Sequence, residues 1–346
     1  MRARDLGIVL GDLPAGPLNA ITDVAGVRVG HATLIESDAV RTGVTVVLPT
    51  EDGSPCFAGS HRLNGNGELT GLAWVRESGL LTTPVGITNT FSVGVVRDAI
   101  VSSQHDAGRG RWHLPVVGET YDGLLNDIEG MHVEAAHAHA ALDAAGGGPV
   151  GEGALGGGTG MICHGFKGGI GTSSRRTEVG VVGVLVQANH GRRARLSVDG
   201  VPVGRELGPE RIPLPPWPTD GGGSIIVVVA TDAALLPHQC ERLAARAALG
   251  IGRTGGAGEN SSGDLIVAFA TGNRIDDLAG DSFRVEMLAN RRIDPLFYAA
   301  IEATEEAILN ALVAADTMTG RGGAVVHRLD HDALVDVMRR FGRVAP

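Results

Sequence analysis

An α/β protein with its strands buried between helices is the fold class that the sequence predicts. Three runs carry that expectation. Val179–Asn189 (VGVVGVLVQAN), Ile225–Thr231 (IIVVVAT) and Asp264–Thr271 (DLIVAFAT) are apolar at successive positions. A strand apolar on both faces has to be covered on both faces. Helical periodicity follows two of these features, so that the chain reads strands, helix, strands, helix, strand, helices. Two mixed sheets covered by helices satisfy this order. A doubly wound sheet would also cover the strands, but no GxGxxG follows a strand and opens a helix, which weakens a dinucleotide site.

In chain order, the first third predicts short strands at Gly26–Val29, Gly43–Leu48, Val85–Thr88, Ser92–Val96 and Pro115–Gly118, separated by Gly, Asn and Pro turns. Thr70–Glu77 is read as the start of a helix. Asp122–Ala145 is the first long helix by apolar spacing, and Gly146-Gly147-Gly148-Pro149 stops it. Gly151–Arg175 is too rich in glycine to be helical. The late helices are Leu236–Leu249, with Pro237 close to its first turn, then Pro295–Ala315 and His331–Phe341.

Composition excludes several function classes. The chain has 346 residues, 43% of them hydrophobic, enough for one large core or two smaller ones. Its formal charge is -10 without a basic tract, which argues against nucleic acid and anionic membrane as partners. Aromatic residues are only 3%, so a base-stacking surface is not expected. Cys56, Cys163 and Cys240 are far apart and odd in number, which fits a reducing compartment rather than a disulfide scaffold. The N-terminus lacks the apolar core of a signal peptide, and no apolar run is long enough to span a membrane. A soluble cytoplasmic protein is the expectation.

Most familiar catalytic patterns are missing. There is no G-x-S-x-G elbow, and Lys167 in GFKGGIG does not complete a P-loop. Lys167 is the only lysine in the chain, and a structural or surface role is read for it. His132, His137 and His139 do not have metalloprotease spacing, and Cys163-His164 lacks matching zinc partners. Asp276-Asp277 with Asp281 reads as an acidic surface patch. No metal or cofactor is expected.

Hydroxyl chemistry remains, and it centres on Gly223-Ser224. The segment from Arg205 to Gly223 ends in three glycines, and Ser224 opens an apolar strand. Serine needs a base to become a nucleophile. No histidine neighbours Ser224 in the sequence. If the 223–224 bond were cut, Ser224 would gain an α-amine with a reference pKa of about 7.7–8.0, able to take the hydroxyl proton near neutrality. Attack of Oγ on the Gly223 carbonyl would achieve the cut through an ester, and glycines at 221–223 would permit the strained backbone. An ordinary loop before a strand has the same appearance, so the residues alone leave both readings open.

The junction GGGSIIVVVATDAALLPHQCERLAARAALG resembles that of the DmpA-like L-aminopeptidase/D-esterases and β-peptidyl aminopeptidases. GGGTGMICHGFKGGIGTSSR, VVGVLVQANHGRR, LPVVGETYDGLLND, TGVTVVLP and TGGAGENSSGDLIVAFATGNR are similar to blocks of that family, in its order. The resemblance implies a four-layer αββα sandwich like that of N-terminal-nucleophile hydrolases, with different connectivity. It implies one composite domain over 1–346, cut into an α chain, Met1–Gly223, and a β chain, Ser224–Pro346. Four such heterodimers commonly assemble.

Matched onto this chain, the family's roles make Ser224 nucleophile and, through its freed amine, general base. Asn189 would donate to the oxyanion and Tyr121 would bring a hydroxyl to the reacting carbonyl. Glu119 would meet the substrate ammonium, and Ser262 and Asp264 would orient Ser224. Some relatives have glutamate in place of Asp264. The implied reaction is hydrolysis of peptides, amides or esters with a free N-terminus. The alternatives are a β-peptidyl aminopeptidase, a D-aminoacyl amidase or esterase and, in a different class, an uncleaved binding or assembly protein.

Overall fold

The computed structural model describes residues 1–108, 112–216, 223–273, 275 and 281–345. Two mixed sheets lie face to face between two helical layers. The first sheet contains β1 (Arg28–Glu36), β2 (Val40–Leu48), β5 (Val85–Asn89) and β6 (Val116–Thr120), in the order β1-β2-β5-β6. The second has the order β4-β3-β12-β11-β10-β9, from β3 (Cys56–Gly65), β4 (Leu80–Leu81), β9 (Gly169–Thr177), β10 (Gly180–Asn189), β11 (Gly223–Thr231) and β12 (Ser262–Ala270). Two small hairpins complete the strands, β7 (Ile162–Cys163) with β8 (Phe166–Lys167), and β13 (Met318–Thr319) with β14 (Val325–Val326).

Alternation along the central strands explains the layering. On β11, Ile225, Val227 and Val229 join a core with α5 (Pro237–Arg253) and α6 (Asp294–Val313), while Ile226, Val228 and Ala230 join the core between the sheets. On β12, Ile266 and Ala268 face the helices, and Leu265, Val267 and Phe269 face the other sheet. Strand β2 divides likewise. Its Val47 enters the inter-sheet core, whereas Val44 and Val46 pack with α2 (Val93–Asp106) and α3 (Ala135–Asp143). Strands flanked by apolar layers on both sides read as continuous apolar runs for this reason. Shorter helices lie at Leu72–Ser78 (α1), Val203–Glu206 (α4) and His331–Arg340 (α7). Among the described residues, no helix is long and apolar enough to cross a membrane.

Several local expectations change. Ser92–Val96 is not a strand: the Asn89 side chain accepts from the Phe91 amide, and a 3-10 turn at Thr90–Ser92 leads into α2. Val93, Val96 and Ile100 then share the buried face, so helical packing overrides the strand preference of valine. The expected helix Asp122–Ala145 shrinks to α3. Asn126 and Leu125 donate back to the Asp122 carbonyl, and Met131 takes a left-handed φ of 49°, so the intervening chain turns rather than coils. Strand β1 runs on to Glu36 in register with Val40 of β2, well beyond the expected Val29. Strand β3 was not expected at all, because its outer half, SHRLNG, is polar and partly exposed.

A buried ion network joins the N-terminal segment to α6. Arg175 on β9 donates from Nε to Glu302 at 3.0 Å and from Nη2 to Glu306 at 2.7 Å. Its Nη2 also reaches the Leu10 carbonyl at 2.7 Å, and Arg4 holds the other face of Glu306 at 2.8 Å. Burial would push the Glu306 carboxyl up, but Arg4 and Arg175 together hold it below its ordinary value. Arg175→Ala is expected to lower the unfolding free energy by about 3–5 kcal/mol, because it strands a buried carboxylate; chemical denaturation measures this.

Candidate active site

Three neighbouring strands end at one place. Ser224, near the start of β11, pairs with Asn189 at the end of antiparallel β10 and with Gly263 near the start of parallel β12. The Ser224 hydroxyl accepts from the Gly263 amide at 3.0 Å. Gly223 has a φ of 150°, and a Cβ there would collide with the Asn189 carbonyl oxygen, so only glycine suits this position. Gly221 and Gly222 lie outside the described residues.

On β12, the Ser262 hydroxyl donates to Asp264 Oδ1 at 2.6 Å. Desolvation pushes the Asp264 carboxyl up to about 6; Ser262 and the Ile225 amide oppose the shift, while Glu259 adds to it. Asn189 is fixed at both ends of its amide. Its Oδ1 accepts from the Ile162 amide at 2.7 Å and its Nδ2 donates to the Tyr121 carbonyl at 3.0 Å. An amide nitrogen has two hydrogens, so one donor of Nδ2 is left by this arrangement.

Glu119 ends up in a dry setting, 4% exposed on β6. Its Oε1 accepts from the Glu68 amide at 2.9 Å and its Oε2 from the Thr90 hydroxyl. Burial raises its pKa, the two hydrogen bonds oppose this, and the Glu68 carboxylate adds to the rise. A cleft of about 1020 Å³ is lined by Glu119, Tyr121, Asn189, Gly223 and Ser224. Tyr121 is 41% exposed at its edge. Ser262 and Asp264 are buried and do not line the cleft, so the structure places them beside Ser224 rather than against a ligand. A smaller cavity near Arg28 and Thr83 includes none of these residues.

Sequence reasoning missed Glu68 and Thr90, the partners of Glu119. Nothing in the spacing marks them, because they reach the site through β6 packing against distant loops. It also read the surface as one place for Lys167, which is instead fully buried. Cys163-His164 does have a partner: ligand atoms of Cys163, His164 and His190 lie within 4.8 Å of one another, a buried set able to hold a cation such as zinc. His164 Nδ1 lies 3.1 Å from the Arg192 carbonyl, and His190 Nδ1 lies 3.9 Å from the Cys163 thiol. His137 and His139 belong to α3, where His137 caps the helix and His139 meets Ser102. Asp281 is exposed, while Asp276 and Asp277 lie outside the described residues.

The model of Peptidase family S58 matches residues 19–326. The chain belongs to this family. Among S58-like structures, a β-aminopeptidase from Burkholderia sp. is 54% identical, with a TM-score of 0.93 and full coverage of both chains. The L-aminopeptidase D-Ala-esterase/amidase from Ochrobactrum anthropi, described as a prototype for the serine aminopeptidases and a variant of the Ntn hydrolase fold, is 44% identical, with a TM-score of 0.92 over 99% of each chain. The β-peptidyl aminopeptidase BapA of Sphingosinicella microcystinivorans is 49% identical over 99% of this chain and 93% of the relative. The S58 chain is therefore a self-processing serine aminopeptidase of the Ntn-hydrolase type, and the assembly-protein alternative falls away.

The Glu119 environment yields a direct check. Thr90→Val removes a bond that favours the charged carboxylate, so the Glu119 pKa is expected to climb further. Carboxyl-carbon NMR titration of the variant reads the shift.

Proposed function

We propose that the chain cuts itself between Gly223 and Ser224 and then releases N-terminal residues from short peptides and amides. The observation that carries this reading is the row Asn189–Ser224–Gly263, open to a cleft with a buried carboxylate, Glu119, in its wall. In the precursor, Ser224 Oγ adds to the Gly223 carbonyl carbon. The C–N bond breaks, the nitrogen keeps its amide proton and takes up the one released by Oγ to become the α-amine, and water hydrolyses the resulting ester. Gly223 leaves as a carboxylate and Ser224 regains its hydroxyl.

In the mature enzyme, Glu119 receives the substrate ammonium in its low-dielectric pocket. Ser224 Oγ attacks the substrate carbonyl, and its own α-amine takes the hydroxyl proton and passes it to the leaving amine. The remaining Nδ2 hydrogen of Asn189 donates to the oxyanion, and Tyr121 places its hydroxyl at the same carbonyl. A preorganised donor of this kind contributes about 2.7–4 kcal/mol at the transition state. Ser262 and Asp264 hold the Ser224 end of β11 and orient its amine. Water then frees the acyl residue. This scheme needs no metal or cofactor.

A β-amino acid is the favoured N-terminal residue, since relatives at 54% and 49% identity are named for that activity. Hydrolysis of D-aminoacyl amides and esters is the second reading, supported by the 44% identical relative. Processed heterodimers, four to a particle, are proposed to assemble. Exposed Phe283, Val285, Met287 and Tyr298 supply apolar surface for that. A cytoplasmic location suits three free cysteines, all buried.

Intact mass measurement is expected to find Met1–Gly223 and Ser224–Pro346 as separate species, and Ser224→Ala as one inactive chain. A single uncut chain with full amidase activity would overturn the proposal. β-Alanyl, L-alanyl and D-alanyl p-nitroanilides then rank the substrate classes, with the β-alanyl compound expected to be cleaved fastest.

Processing also has a predicted pH dependence. The Asp264 carboxyl of the uncut chain sits at about 6, so its ionised, hydrogen-bond-accepting fraction grows as pH rises through that value. The self-cleavage rate is expected to rise with a midpoint near 6, and Asp264→Asn to lose that step. Time courses by denaturing gel across pH decide the matter.

A further inference from the structure

One peptide group behind the cleft is gripped from both sides. The Met161 carbonyl accepts from Lys167 Nζ at 2.7 Å, and the N–H of the same peptide, on Ile162, donates to Asn189 Oδ1 at 2.7 Å. Lys167 is the only lysine in the chain and is fully buried. Its amine also donates to the carbonyls of Gly168 at 2.9 Å and Gly158 at 3.4 Å, and its backbone amide donates to the His327 carbonyl at 2.8 Å. Asp122 and Cys163 are the titratable groups that act on it. Asp122 is itself held by Asn126 at 3.0 Å.

We propose that Lys167 is a positioning residue for the reaction, acting on Asn189 through the Met161–Ile162 peptide. The inference rests on the reading of Asn189 as the oxyanion donor. A donor on a peptide carbonyl draws electron density from the amide and strengthens its N–H as a donor. That N–H meets the Asn189 carbonyl oxygen, where it has the same effect on the side-chain amide. The Nδ2 hydrogen facing the cleft is sharpened at the end of the relay. The relay also fixes which way the amide points. Flipping Asn189 would set its NH₂ against the Ile162 N–H and its oxygen against the Tyr121 carbonyl. The short β7–β8 hairpin carries both ends of the device, Ile162 and Lys167, which ties the amine to the donor with little slack.

A lysine that merely satisfies the carbonyls of a glycine-rich turn would have the same burial. A double-mutant cycle separates the two. In the processed enzyme, Lys167→Gln and Lys167→Met are each combined with Asn189→Ala, and kcat and KM are measured on β-alanyl p-nitroanilide. Lys167→Gln is expected to lower kcat about tenfold with KM within about twofold, and to cost less than about twofold further in the Asn189→Ala background. Equal losses in both backgrounds, or a rise in KM alone, overturn the relay. If Asn189→Ala itself keeps full kcat, the oxyanion assignment fails instead, and the relay falls with it.

Should the lysine variants not fold or process, the unaltered side chain can report. Lysine labelled with ¹³C at Cε gives a single resonance in this chain. An aminoalkyl boronic acid that captures Ser224 as a tetrahedral adduct is expected to move that resonance in the native enzyme and not in Asn189→Ala. A resonance that stays fixed in the native adduct refutes the coupling.

Discussion

The register between β10, β11 and β12 is the constraint on which the rest depends. Backbone pairing sets Asn189, Ser224 and Gly263 side by side, and a shift of one residue would turn Ser224 toward the opposite face of its sheet. The register is held from both sides of the sheet. Alternate residues of β11 enter separate apolar layers, one under α5 and α6 and one against the other sheet. A slip would exchange every one of these contacts. The precision of the site is thus a by-product of the burial that stabilises the fold.

That dependence explains what the sequence discloses. Strands buried on both faces, such as Ile225–Thr231, are legible because burial leaves continuous apolar runs. Ser224 is legible because three glycines meet such a run, although Gly223 alone does not distinguish a loop from a scissile bond. The ordered blocks of family resemblance point to the scissile reading. Ser92–Val96 misleads because its valines fit a strand locally, while the Asn89 cap and the packing of Val93, Val96 and Ile100 make a helix. Glu119 is visible within GETYDG, but its partners Glu68 and Thr90 are not, since spatial neighbours from three separate segments leave no spacing to count.

Charge is handled in opposite ways around Arg175 and in the cleft. Around Arg175, buried ions are matched, with Glu302 and Glu306 meeting the guanidinium directly. At the cleft, no cation acts on Glu119 or Asp264 among the described residues. Glu119 and Asp264 lean on hydroxyl and amide donors, which soften the desolvation without cancelling it. Such groups retain an appetite for positive charge, and a substrate ammonium or a newly formed α-amine would meet it.

The six-stranded sheet has one more implication. Strands β3, β4, β9 and β10 precede the junction, whereas β11 begins at Gly223 and β12 follows it, returning to pair with β3. The segments on either side of the junction are interleaved, so neither owns the whole six-stranded sheet. The β10–β11 and β3–β12 ladders therefore join the two segments by backbone pairing, in addition to the covalent link at Gly223-Ser224.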